Sequence, residues 1–140
     1  MRRWMIAGNW KMHNNKSEAV LLAKAIKEGT QGISGGDVVL APPFTALQSV
    51  YETIVDSHVL LAAQNMYYED KGAFTGEISP SMLKDIGCTY VIIGHSERRK
   101  YFHETDEAVN QKVKKSLATG IKPIVCVGET EDERNKGVTE

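Results

Sequence analysis

The 140-residue chain carries 17 Lys plus Arg against 18 Asp plus Glu, a net charge of -1, with 41% hydrophobic and 25% charged residues. That balance excludes disorder, a coiled coil and the electrostatic footprint of a nucleic-acid or membrane-surface binder. No apolar run approaches the ~18 residues of a membrane span, and two cysteines, Cys88 and Cys126, fit a reducing compartment better than a disulfide scaffold. The expected class is a soluble cytoplasmic protein, one domain or part of a larger one.

The start, Met1-Arg2-Arg3-Trp4, runs straight into a first predicted strand, Trp4–Ala7. Ser17 can cap a helix with Val20, Leu22, Ala23 and Ile26 inward and Gly29 as its stop. A second strand follows at Val38–Ala41, then a helix capped by Thr45 in which Leu47, Val50, Tyr51 and Ile54 share a face. The third strand, Val59–Ala63, leads into a long connection, residues 66–78, with Gly72 and Gly76 as its flexible points. Structureless connections of that length are uncommon and usually functional. Ser79-Pro80 and Gly87 bracket one short helix with proline inside its start and glycine past its end. The fourth strand is Tyr90–Ile93. Thr105 then caps a helix with Val109, Val113 and Leu117 at i+4 spacing and Gly120 beyond it, before a fifth strand, Ile124–Val127.

The strands are near-continuously apolar, as strands buried on both faces should be. Their starts, near 4, 37, 59, 90 and 122, lie 33, 22, 31 and 32 residues apart, the rhythm of βαβ units and a parallel sheet. Two architectures satisfy it equally: a flavodoxin-like doubly wound domain, or part of an eight-stranded β/α barrel of ~250 residues. After Gly128-Glu129 comes a charged tail, Thr130 to Glu140, where a flavodoxin-like sheet would carry a covering helix. On that ground the chain reads as unfinished and tilts toward the barrel.

In either architecture the working face lies beyond the carboxyl ends of the strands. Three strand exits concentrate groups that a loop does not require: Gly8-Asn9-Trp10-Lys11, Gln64-Asn65 and Gly94-His95-Ser96-Glu97-Arg98. Lys11 suits an anionic substrate or developing negative charge, the plainer alternative being a solvated loop lysine. His95 is placed to act as acid, base or hydrogen-bond donor near neutral pH, or simply to end a strand. Glu97 can orient Lys11, serve as a base, or pair on the surface with Arg98 or Arg99. His13, His58 and His103 read as surface residues, and Cys126, inside a strand, as a small core residue. No Cys or His pair at zinc spacing, no G-x-G-x-x-G and no P-loop is present in the sequence, so no metal or cofactor is expected.

At these residues the sequence resembles the triosephosphate isomerase family. Ala7-Gly8-Asn9-Trp10-Lys11-Met12 is similar to its first strand exit, and Ala63-Gln64-Asn65 with Lys71-Gly72-Ala73-Phe74-Thr75-Gly76-Glu77-Ile78-Ser79 to its third loop. Tyr90 to Arg99 is similar to its fourth strand and catalytic histidine, and Pro123 to Glu129 to its fifth strand. The resemblance implies a (β/α)8 TIM barrel, of which residues 1–140 supply the first five strands and four helices of a single domain. It implies interconversion of dihydroxyacetone phosphate and glyceraldehyde 3-phosphate through an enediolate, in glycolysis and gluconeogenesis. Asn9 and Lys11 would bind substrate and His95 would be the electrophile and proton shuttle. A neutral histidine held by a helix N-terminus belongs to the family precedent and not to any spacing in this chain. Glu97 would orient Lys11 and His95. Loop 66–78 would reach into a second subunit, bringing Thr75 near that subunit's Lys11 and His95, with Gln64, Asn65, Glu77 and Arg98 at the same homodimer interface. The family's general base, a glutamate after the sixth strand, its lid and its two later phosphate loops lie outside these residues. The 140 residues alone are therefore expected to be a barely measurable catalyst, and to be partly folded or self-associated through the edges of strands one and five.

Overall fold

The computed structural model describes residues 3–137. Its five strands are β1 (Trp4–Asn9), β2 (Gly36–Ala41), β3 (Val59–Ala63), β4 (Tyr90–Ile93) and β5 (Lys122–Val125). Each pairs in parallel with the next, in the order β1-β2-β3-β4-β5. A doubly wound sheet reverses its strand order partway. This one never does, so the flavodoxin-like alternative fails and the sheet is a curled half-barrel.

Six helices accompany it: α1 (Lys16–Gly29), α2 (Leu47–Ile54), α3 (Pro80–Ile86), α4 (Ser96–Phe102), α5 (Asp106–Thr119) and α6 (Glu131–Lys136). The larger core joins alternate strand residues, Val38, Leu40, Leu61, Val91 and Ile93 among them, to helix residues such as Ala23, Val50, Leu83 and Val109. The opposite face holds a smaller cluster drawn from strands alone, with Val39, Ala41, Ala62, Tyr90 and Ile92. Period-2 side-chain alternation thus sorts each strand between a helix-covered outside and a barrel inside. Burial on both faces holds for β2 to β4, whereas β1 and β5 stand at the two edges of the sheet and are largely exposed.

Two helices follow the sequence signals closely. Ser79 Oγ accepts from Met82 N at the start of α3, and Gly87 ends it at φ +100°, where an added Cβ would lie 2.2 Å from the Tyr51 ring. Thr105 and Gly120 bracket α5 as read. Elsewhere the packing differs. Asn15, not Ser17, caps α1, because Glu18 stands three residues on and completes a reciprocal capping box. The buried stripe of α1 is Ala19 and Ala23, and Leu22 is exposed. On α5, Val109 is buried but Leu117 is exposed, because the inward face is turned toward Lys112 and Ser116, each with a polar partner. Thr45 falls in a 3-10 turn, Phe44–Ala46, and makes no cap for α2. Cys126 lies just past β5 and not within it, although its N–H still donates to the Ile93 carbonyl. Part of the charged tail forms α6, capped by a Thr130–Glu133 box. No helix among the described residues is long and apolar enough to cross a membrane.

Candidate active site

The carboxyl ends of β1 to β4 open onto a cavity of about 300 Å³. Lys11 follows β1 with a backbone φ of +54°, a conformation that costs a non-glycine residue about 1 kcal/mol. Two side chains hold it there. Asn9 Oδ1 accepts from the Lys11 N–H at 2.9 Å, and Gln64 Nε2 donates to the Lys11 carbonyl at 2.8 Å. Gln64 also donates to Ala41 O at 2.8 Å, so the exits of β1, β2 and β3 are tied through one amide. The effect is to aim the Lys11 side chain at the exit of β4.

There its Nζ meets Glu97 Oε1 at 2.8 Å. That hydrogen bond and charge hold the Glu97 carboxyl below its ordinary 4.5, despite partial desolvation. The side chains are 52% and 41% exposed, so the pair is open to an incoming anion and not locked in the core.

His95 caps α4. Its Nδ1 accepts the Glu97 N–H at 3.2 Å. A proton on Nδ1 would instead face Glu97 Oε2 at 3.5 Å and leave that amide without its acceptor. With Nδ1 accepting that amide, Nε2 is the ring nitrogen left to donate.

Behind the mouth lies a buried polar cluster that the sequence reading missed. Lys112 Nζ pairs with Glu104 and donates to Asn65 Oδ1 at 2.9 Å, while Arg98 Nε approaches Glu104 Oε2 at 3.3 Å. Glu104 lies just before the Thr105 cap and Lys112 within α5, so no helical spacing marks the two as partners.

Of the predicted site residues, Asn9, Lys11, Gln64, Asn65, Glu77, His95, Glu97 and Arg98 all line the cavity. Thr75 is exposed on loop 66–78 and does not line its own chain's cavity. Among the described residues no group of three or more His, Cys, Asp or Glu could hold a metal.

The sequence pattern of the family described as triosephosphate isomerase matches residues 4–140. The chain is 54% identical over 140 residues to the triosephosphate isomerase of Herpetosiphon aurantiacus, covering 100% of this chain and 56% of that protein. It is 55% identical over 139 residues to that of Endomicrobium trichonymphae, again covering 56% of it. The chain thus spans about half the length of the curated relatives it matches. A crystal structure of triosephosphate isomerase from Bartonella henselae superposes with a TM-score of 0.91 at 37% identity, covering 99% of this chain and 57% of that one.

Proposed function

Because the chain belongs to the triosephosphate isomerase family, we propose that its mouth serves the interconversion of dihydroxyacetone phosphate and D-glyceraldehyde 3-phosphate. The observation that carries this reading is the convergence of a half-exposed lysine and a histidine with Nδ1 engaged on one cavity. Lys11, with Asn9 beside it, supplies positive charge for the phosphate and for the oxyanion that forms. His95 donates through Nε2 to the substrate oxygens as the enediolate develops, and returns the proton between them. Glu97 keeps Lys11 extended toward the site until the anion arrives.

Proton abstraction from carbon needs a carboxylate base. Glu97 is engaged with Lys11, and Glu129 with Arg134 at 2.6 Å, so neither is assigned that role. In the family the base is a glutamate after the sixth strand. The 140 residues are therefore read as a site that binds and polarises, and full turnover as the property of a barrel that includes that glutamate.

Homodimerisation through loop 66–78 belongs to the same reading. Supporting it are the exposed Phe74, Thr75 and Glu77 on the loop, stiffened by Tyr67 against Phe74 at 4.8 Å, and the exposed Met12 and Phe44 around the mouth. The protein is placed in the cytoplasm, where Cys88 and Cys126, both free, persist as thiols.

The test is an isomerase assay with glyceraldehyde 3-phosphate alongside intact-mass measurement, for the wild type and His95→Ala. A 15.5 kDa species is expected to show little turnover, and a full-length barrel turnover that His95→Ala abolishes. A full-length protein whose activity is untouched by His95→Ala would overturn the proposal.

A further inference from the structure

His95 sits on a single peptide that joins β4 to α4, and that peptide is held from outside the mouth. Gly94 has φ +74°, the reversal that turns the chain out of β4. Its carbonyl accepts Arg99 Nε at 2.9 Å. The other end of the same guanidinium reaches Asp106 Oδ1 at 2.5 Å, in the first turn of α5. An added Cβ on Gly94 would lie 3.1 Å from Arg99 Nη2 and 3.0 Å from Val109, so the guanidinium is seated against the turn. Arg99 is not among the residues lining the cavity, and its backbone N–H donates to the His95 carbonyl at 3.1 Å. Side chain and backbone of one residue thus grip the carbonyls on both sides of His95.

We infer that Arg99 is a positioning residue for His95: its Nε–H, braced by Asp106, fixes the Gly94–His95 peptide so that the ring keeps Nδ1 on the Glu97 N–H and Nε2–H toward the substrate. This rests on the reading of His95 given under the proposed function. A rotation of that peptide would swing the ring off the Glu97 amide, and with it the preference for one tautomer. The Asp106 end is 94% exposed, so its value lies in orientation, not in ion-pair energy.

The test uses imidazole nitrogen NMR on the ¹⁵N-labelled full-length barrel, with His95 assigned by the signal lost in His95→Gln. The wild-type ring is expected to show the Nε2–H tautomer. Arg99→Met puts a methyl carbon where Nε stood and removes the donor, and the two ring nitrogens should then collapse toward a tautomer average. Arg99→Gln puts an NH₂ at that same position and should restore the wild-type pattern, although both variants lose the charge and the Asp106 contact. Loss of the pattern in both alike, or its retention in Arg99→Met, would overturn the positioning role. If Arg99→Met does not fold, hydrogen exchange of Arg99 Nε–H in the wild type decides. A slow, protected proton is expected and a freely exchanging one would overturn the clamp. A wild-type ring already in the Nδ1–H form would instead sink the reading of the site itself.

Discussion

The two ends of the same sheet carry the same chemistry in opposite settings. At the carboxyl ends Lys11 and Glu97 meet at 2.8 Å with both side chains about half exposed. At the amino ends Arg3 and Asp37 meet at 2.7 Å, but the Asp37 side chain is only 11% exposed. Its second oxygen accepts Tyr90 OH at 2.5 Å, and Lys122 lies over the Tyr90 ring. The floor is thus saturated: Tyr90 holds the Asp37 carboxyl below its ordinary 3.8 against the opposing effect of burial, with Arg3 assisting. Burial, with the Asp37 hydrogen bond, pushes the Tyr90 hydroxyl up to about 12. The mouth keeps its cation and its imidazole Nε2 available. What separates a structural ion pair from a working one here is spare bonding capacity, not residue type.

The largest way to break that contrast is at the mouth. In a full-length barrel Lys11→Ala and His95→Gln should each lower kcat/KM by about 10²–10⁴-fold with little change in melting temperature. A matching loss of stability would mean the mouth is as structural as the floor. Next comes the buried cluster behind it. Lys112→Met leaves Glu104 buried with Arg98 alone and should cost about 3 kcal/mol in urea unfolding.

Tyr90→Phe tests the floor and should cost about 1–3 kcal/mol near neutral pH, with activity unaltered. Its pH profile has a defined sign. A carboxyl lowered in the folded state stabilises above its ordinary 3.8, and that contribution fades as pH falls through the folded value. The difference between wild type and Tyr90→Phe should therefore shrink in acid. It should shrink again as pH rises from about 10 to 12, because the raised phenol stabilises only while protonated.

The smallest effect is expected for Glu97→Gln. Glu97's lowered carboxyl contributes in full above its ordinary 4.5 and fades as pH falls through the folded value, but the pair is exposed, so thermal melts at pH 7 should barely move. Substrate affinity should change instead, because Lys11 loses the partner that aims it.

Several elements were legible from local chemistry. Ser79-Pro80 to Gly87 and Thr105 to Gly120 carry their own caps, and the helix ends need nothing distant to form. Helix α4 was not legible: Ser96 to Phe102 buries none of its residues and shows no apolar stripe. It is a helix because His95 caps it and the mouth and α5 side chains hold it. Gln64 was readable as a polar exit residue, but its bonds to Lys11 and Ala41 span 53 and 23 residues. The burial of Lys112 was not legible, since nothing within its own helix announces Glu104 and Asn65 as partners.

By itself the sequence determined the βα rhythm, the strands' apolar runs and the polar exits holding Lys11, His95 and Glu97. Each depends on a residue's own φ/ψ preference or on neighbours within one helical turn. Only the tertiary structure decided that the strands follow one another without reversal and that the helices share one face. It alone decided that Lys11 meets Glu97, and that one arginine braces the peptide carrying His95. Those outcomes depend on which distant strands become neighbours, and a run of valines and isoleucines is equally apolar beside any of them.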